Sequence, residues 1–285
     1  MLICIGDLID DVVVRQRVAA FSVGSDTDSH VVRRRGGSAA NVAATAQRIG
    51  LPSRLLATAG ADRIGEGLVD EMRLSGVDTR FVQRRGRSAT VIALVDSIGE
   101  RSMLTDRGSA VDVRLPPADA LRSARAVHIP LYSLATPPLA DTAMSIADHV
   151  DRESVVLTLD VSSASLLDEL GPARVNDLLA AVEPDVVLAN DDEAGRLGST
   201  PGVLVARTGS KACHIVSDGH ITDEVAALEL IAVDDTTGAG DAFAAGVIAG
   251  LLDDRHDVVG ACRRGHRIAA ALLVGRGARR HDRQR

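Results

Sequence analysis

The stretch Asp235-Thr236-Thr237-Gly238-Ala239-Gly240-Asp241-Ala242-Phe243 follows an apolar run, Leu230-Ile231-Ala232-Val233. It opens a segment whose apolar residues Phe243, Val247, Leu251 and Leu252 return at helical spacing and lie near one face. Glycines at 238 and 240 allow a tight turn that bares main-chain N–H groups. Those groups fall at a predicted helix N-terminus, where unpaired donors and the helix dipole favour an anion. A carboxylate at 241 works against simple phosphate binding, but it suits a base facing an attacking hydroxyl. Taken alone, Asp241 also reads as an N-terminal helix charge stabilising by about 0.3–1 kcal/mol. A dinucleotide fingerprint is excluded, because its third glycine would have to stand where Phe243 does. No G-x-x-x-x-G-K-[ST] occurs, so a P-loop is excluded as well.

Upstream, Gly36-Gly37-Ser38-Ala39-Ala40-Asn41-Val42-Ala43 repeats the theme of glycines before a helix. Gly36 and Gly37 let backbone approach a ligand closely. Ser38 is the predicted N-cap of a helix through Ile49, ended by Gly50 and Pro52. The Asn41 amide has both donors and acceptors, which suits neighbouring hydroxyls. Asp10 and Asp11 follow a predicted buried strand, where they either cap local backbone or grip two hydroxyls. Asn190 and Glu193 follow Val186-Val187-Leu188. They read as a helix cap with its capping-box partner, or as groups ordering waters around Mg²⁺, and the two readings are compatible.

Short Val-, Ile- and Leu-rich runs at 2–5, 54–58, 126–129, 154–159, 186–188, 203–206 and 213–216 read as buried strands. Segments of helical period at 39–49, 64–74, 138–149 and 173–181 lie between most of them. This alternation predicts an α/β fold: three layers, α/β/α, around a mostly parallel central sheet. Residues 11–35 and 88–106 break the rhythm. The second reads as a hairpin around Ser97-Ile98-Gly99-Glu100. Both are expected to form a small β-sheet projecting from a single domain of residues 1–285, as a lid.

The 285 residues are 46% hydrophobic and carry a formal net charge of -7, which opposes a nucleic-acid binder held by phosphate contacts. Aromatic residues make up 1%, so stacking platforms for bases are scarce. Cys4, Cys213 and Cys262 are too far apart in sequence for a CxxC pair, and their odd number fits a reduced, cytoplasmic chain. No apolar run approaches the length of a membrane span.

The 235–241 stretch resembles the second signature of the ribokinase-like (PfkB) family, D-T-x-G-A-G-D, and 36–43 resembles its first. Gly6-Asp7-Leu8-Ile9-Asp10-Asp11, Gly60-Ala61-Asp62-Arg63-Ile64-Gly65 and Asn190-Asp191-Asp192-Glu193 resemble lesser family features in the expected order. The likeness runs roughly from Ile3 to Ala278. It implies an ATP-dependent kinase for a hydroxyl of a small sugar or, as the alternative, a nucleoside; a catalytically inactive regulator of the same fold is a further alternative. By resemblance Asp241 is the general base and the amides of Gly238, Ala239 and Gly240 form the anion hole. Asp11, Gly36, Gly37 and Asn41 would bind the acceptor. Asn190, Glu193, Thr208, Gly209 and His266 would serve the nucleotide, with Glu193 holding Mg²⁺ through water. Asp235 and the 275–278 loop would form the monovalent-cation site, for K⁺, that some relatives have. Relatives also pair through their lid sheets, so a homodimer is expected. Asp160-Val161-Ser162-Ser163 departs from the family's D-x-N, and Ala212 replaces a usual glycine.

Overall fold

The computed structural model describes residues 1–18, 23–96, 101–231, 233 and 235–280. Its main sheet has eight strands: β1 (Leu2–Ile5), β4 (Ser53–Leu56), β7 (Ala126–Pro130), β8 (Val156–Asp160), β9 (Val186–Asn190), β10 (Val203–Arg207), β11 (Ala212–Ser217) and β12 (His220–Ala226). Their spatial order is β12-β11-β10-β9-β8-β7-β1-β4. The six strands from β10 to β4 run parallel, while β11 is reversed and pairs antiparallel with both β10 and β12. The sheet is therefore α/β and mostly parallel, as the alternation predicted. The edge strand β12 escaped prediction because its stretch His220–Glu224 is exposed and holds Ile221 as its one apolar residue, too little for a strand signal.

Along each buried strand, successive side chains go to opposite faces. Leu2 and Cys4 join one core, with α1 (Ser38–Arg48), α2 (Arg63–Leu74), α6 (Ala239–Asp253) and α7 (Val258–Gly275). Ile3 and Ile5 join the other, with α3 (Leu139–His149) and α4 (Ala164–Val182). Helix α4 starts nine residues before the predicted 173, because the chain helices on both sides of a break at Gly171, φ 74°, beside Pro172.

A separate four-stranded sheet contains β2 (Ile9–Gln16), β3 (Ser29–Gly36), β5 (Ala89–Val95) and β6 (Arg101–Asp106), in the order β3-β2-β5-β6. Strands β5 and β6 pair antiparallel, but the hairpin turn expected at 97–100 lies outside the described residues. Strand β2 begins at Ile9, so Asp10 and Asp11 sit in this second sheet and not at the end of β1. Val31, Val32, Met103 and Leu104 are exposed on it. Asp62 caps α2 by accepting the Gly65 amide at 2.8 Å, and it also accepts the Ser88 amide at 2.8 Å. One carboxylate thus ties α2 to the base of β5.

Helices α6 and α7 cross through glycine. A Cβ on Gly246 would lie 2.7 Å from the Gly265 Cα, and one on Gly265 would lie 2.9 Å from the Phe243 ring. This approach seats the start of α6 at the carboxyl ends of β1, β8, β9 and β10, where open α/β sheets bind ligands. Gly246→Ala is expected to lower unfolding stability by about 1–3 kcal/mol through overpacking. Urea denaturation checks this; an unchanged midpoint would mean that the helices can separate freely.

Candidate active site

Asp241 stands in the first turn of α6, which Gly238 caps in the left-handed conformation, φ 75°, a position suited to glycine. Its Oδ1 accepts the Ser38 hydroxyl at 2.7 Å and its Oδ2 accepts the Asn41 amide at 2.8 Å. Both donors lie on α1, so the two glycine-led segments of the sequence meet at one carboxylate. Ser38 is not the N-cap expected of it. Gly37 takes that place with φ 98°, and its missing Cβ leaves room for the Asp7 carbonyl, which a Cβ would approach to 2.3 Å. Asn41 turns its oxygen to Arg35 at 2.7 Å and its nitrogen to Asp241, so it bridges two charged groups.

These residues line a cleft of about 620 Å³ that also touches Asp7, Asp11, Gly36, Asp160, Asn190, Glu193 and Arg207. The small sheet supplies one wall through Ile9, Asp11, Val91 and Met103. Burial pushes the Asp241 carboxyl up to about 6; the Ser38 and Asn41 hydrogen bonds oppose the rise, Asp160 adds to it, and Arg207 moderates it. Burial raises Glu193 as well. A base poised near neutrality beside a ring of acids is the kind of arrangement catalysis uses.

Asn190 and Glu193 form the reciprocal capping box: Asn190 Oδ1 accepts the Glu193 amide at 2.9 Å, and Glu193 Oε2 accepts the Asn190 amide at 2.8 Å. They line the cleft at the same time. No cluster of three metal-ligating side chains occurs among the described residues. Mg²⁺ asks for less, since it keeps several waters and takes one or two carboxylates plus phosphates. Glu193 and Asp160, both on the cleft wall, fit that need.

Other expectations fare differently. The Ala239 amide donates to the Thr236 carbonyl at 3.0 Å and closes a turn, so Gly238 and Gly240 are the amides left for an anion. Thr208 spends its hydroxyl on Ala212, accepting that residue's amide at 3.2 Å, which closes the β10–β11 turn. Gly209 sits at the turn's open tip, φ 67°, and neither residue lines the cleft. His266 is buried against the edge of Phe243, with 4.9 Å between ring centroids, and shares a hydrogen bond of 3.2 Å with the Val225 carbonyl. It packs the core and is not among the cleft residues. Asp235 lies between Arg34 and Arg276 rather than in open space suited to an ion.

The residue that sequence reading passed over is Arg207, the last of β10. Its Nε donates to the Ala189 carbonyl at 3.2 Å, and its Nη2 lies 3.3 Å from Asp160 and 4.0 Å from Glu193. Its Nη1 is buried without a hydrogen-bond partner. A Cβ on Gly240 would come within 2.7 Å of that nitrogen. The signal available was a lone basic residue ending a buried run, Val203-Leu204-Val205-Ala206, where a free cation needs acids nearby.

The pattern of the pfkB family carbohydrate kinases matches residues 1–284. An ATP-dependent ribose-1-phosphate kinase of Halopiger xanaduensis is 32% identical over 238 residues, 77% of this chain and 74% of its own. A sugar kinase of Pyrococcus horikoshii is 29% identical over 233 residues, 76% of this chain and 73% of the relative. The fold matches that archaeal sugar kinase solved with ATP at a TM-score of 0.79 and 22% identity, covering 100% of this chain and 97% of the other. It matches adenosine kinase from Sinorhizobium meliloti at 0.82 and 20% identity, covering 96% and 93%.

Carboxyl-labelled NMR of Asp241 is expected to show a titration midpoint at about 6. Ser38→Ala removes a donor to the ionised form and Arg207→Met removes a cation, so each moves the midpoint upward. A midpoint in the ordinary carboxylate range, or one indifferent to both changes, contradicts this electrostatic account.

Proposed function

The chain belongs to the pfkB family of carbohydrate kinases and is an ATP-dependent carbohydrate kinase; from that membership we propose that it phosphorylates a hydroxyl of a small sugar with Asp241 as general base. The observation that carries the assignment is the Asp241 carboxylate, fixed by Ser38 and Asn41 at the start of a helix whose leading glycines, Gly238 and Gly240, line the same cleft.

Each Asp241 oxygen accepts one hydrogen bond from α1, which leaves lone-pair capacity toward the cleft. In the reaction the acceptor hydroxyl gives its proton to Asp241 as its oxygen forms a bond to the γ-phosphorus of ATP. The bond from that phosphorus to the bridging oxygen breaks, and ADP leaves with the electron pair. Phosphoryl transfer asks the protein mainly for positioning and charge stabilisation. The Gly238 and Gly240 amides and the unpartnered Arg207 Nη1 supply donors for the equatorial oxygens, in a site where preorganised donors act strongly. Glu193 and Asp160 would hold the waters of Mg²⁺, which would supply charge neutralisation for the transferring phosphate. Asp11, Gly36 and Gly37 form the acceptor side. The small sheet, already a wall of the cleft, closes over the acceptor as a lid and keeps water from competing. Val31 and Leu104, on the face opposite the one that turns Met103 into the cleft, give that sheet an exposed apolar surface through which two copies can pair.

A sugar is favoured over a nucleoside by the aromatic inventory. Among the described residues, Tyr132 is the aromatic residue lining the cleft, and Arg107 covers one face of its ring at 4.6 Å. A base would have little to stack on. Arg33, Arg34 and Arg35 are each committed to acids, at 2.9 Å to Asp10, 2.9 Å to Asp11 and 3.2 Å to Glu71, so a phosphate on the acceptor finds no uncommitted arginine on β3.

A panel of sugars and nucleosides assayed with ATP, with the product phosphate located by ³¹P NMR, tests the assignment. Asp241→Asn should bind ATP as the wild type does and lose about 10²–10⁴ in kcat. Preferential turnover of nucleosides would replace the sugar reading, and undiminished kcat in Asp241→Asn would remove the base.

A further inference from the structure

Asp235 opens the loop that leads into α6, and it is crowded by donors. Its Oδ1 accepts the Thr237 amide at 2.9 Å and the Thr237 hydroxyl at 2.5 Å. Its Oδ2 accepts Nη1 of Arg34 at 3.2 Å and lies 3.7 Å from Nη1 of Arg276. The same Arg276 nitrogen donates to the Thr237 carbonyl. Arg34 reaches in from β3 and also donates from Nε to Asp11 at 2.9 Å. Arg276 reaches in from the end of α7. Two guanidinium groups from distant parts of the chain therefore converge on one turn. Against the upward push of burial, the Thr237 hydrogen bonds and the Arg34 guanidinium hold the Asp235 carboxyl well below the usual carboxylate range.

A carboxylate and a main-chain carbonyl facing one small space make a site for a cation. In this chain Arg276 already stands against both oxygens that a dissociable ion would need: it donates to the Thr237 carbonyl and pairs with the Asp235 carboxylate at 3.7 Å. A monovalent ion added there would sit against two fixed positive charges and would displace hydrogen bonds already made. The donor set of this loop therefore does not fit the K⁺ that the family resemblance implies.

The loop's geometry gives the guanidinium a task. The Thr237 carbonyl and the Gly238 N–H belong to one planar peptide unit and point in opposite directions. Pinning the carbonyl on Arg276 fixes the direction of the Gly238 N–H at the start of α6. We infer that Arg276, supported by Arg34, is a built-in counter-ion that holds the anion-binding turn in place of a dissociable monovalent cation, so turnover does not depend on K⁺. Arg276 is a positioning residue: it acts through the Thr237–Gly238 peptide and is absent from the walls of the main cleft. The activity arm of the test rests on the kinase reading above; the thermal arm does not.

The experiment compares wild type, Arg276→Ala and Arg276→Lys in tetramethylammonium chloride, in KCl at the same ionic strength, and with low millimolar guanidinium chloride added. Wild-type kcat and melting temperature are expected to be the same in both salts. Arg276→Ala is expected to lose about 10² in kcat, the typical cost of one disordered donor, and to recover part of it with guanidinium or K⁺. Its melting temperature should rise in KCl relative to tetramethylammonium, while Arg276→Lys stays near wild type on both readouts. Activation of the wild type by K⁺ of about fivefold or more, the low end of ordinary coupling between sites, overturns the inference. So does an Arg276→Ala protein with wild-type turnover and no thermal response to either cation. If no carbohydrate is phosphorylated at all, the kinase reading fails, while the melting temperatures still decide whether the arginine occupies a cation site.

Discussion

The site depends on one carboxylate shared between two helices. Asp241 belongs to α6, yet the groups that orient it, the Ser38 hydroxyl and the Asn41 amide, belong to α1. Helix α1 presents them because Gly37 lets it start directly against the Asp7 carbonyl. Helix α6 meets them because glycines let it pack closely on α7. Burying a charge at such a junction is costly, and the cost is visible in the raised affinity of Asp241 for a proton. That same desolvation makes it a stronger base than a solvated carboxylate, as the proposed role asks.

Charge balance in the cleft follows from the same constraint. Asp7, Asp11, Asp160, Glu193 and Asp241 all face one space. Arg207 stands between Asp160 and Glu193, and Arg34 ties Asp11 to Asp235. Arg207 does not satisfy itself fully, since Nη1 has no partner beside Gly240. An orphaned buried donor is expensive in a resting protein and is explained if a ligand oxygen completes it. The glycine at 240 is then needed for space as well as for an exposed amide.

The sequence made the α/β alternation and the two glycine-led segments legible because both rest on local pattern: apolar runs of strand length and glycines before an apolar helical face. The pairing of Asp241 with Ser38 and Asn41 was not legible, since more than 190 residues separate the partners and no local propensity records the contact. For the same reason Ser38 reads as a cap when its hydroxyl is needed elsewhere. Arg207 hid at the end of an ordinary buried strand. His266 and Thr208 show what spacing near a motif leaves out: one packs against Phe243 and the other closes a turn, contacts that no local pattern records.

The central claim is spatial: base and anion donors address one phosphorus. A crystal structure with ADP, Mg²⁺ and aluminium fluoride tests it most directly. The account predicts the fluoroaluminate within hydrogen-bonding distance of the Gly240 amide and of Arg207 Nη1, with Asp241 facing it opposite the ADP. A fluoroaluminate bound beyond the hydrogen-bonding reach of those donors, or with Asp241 turned away from it, would contradict the account.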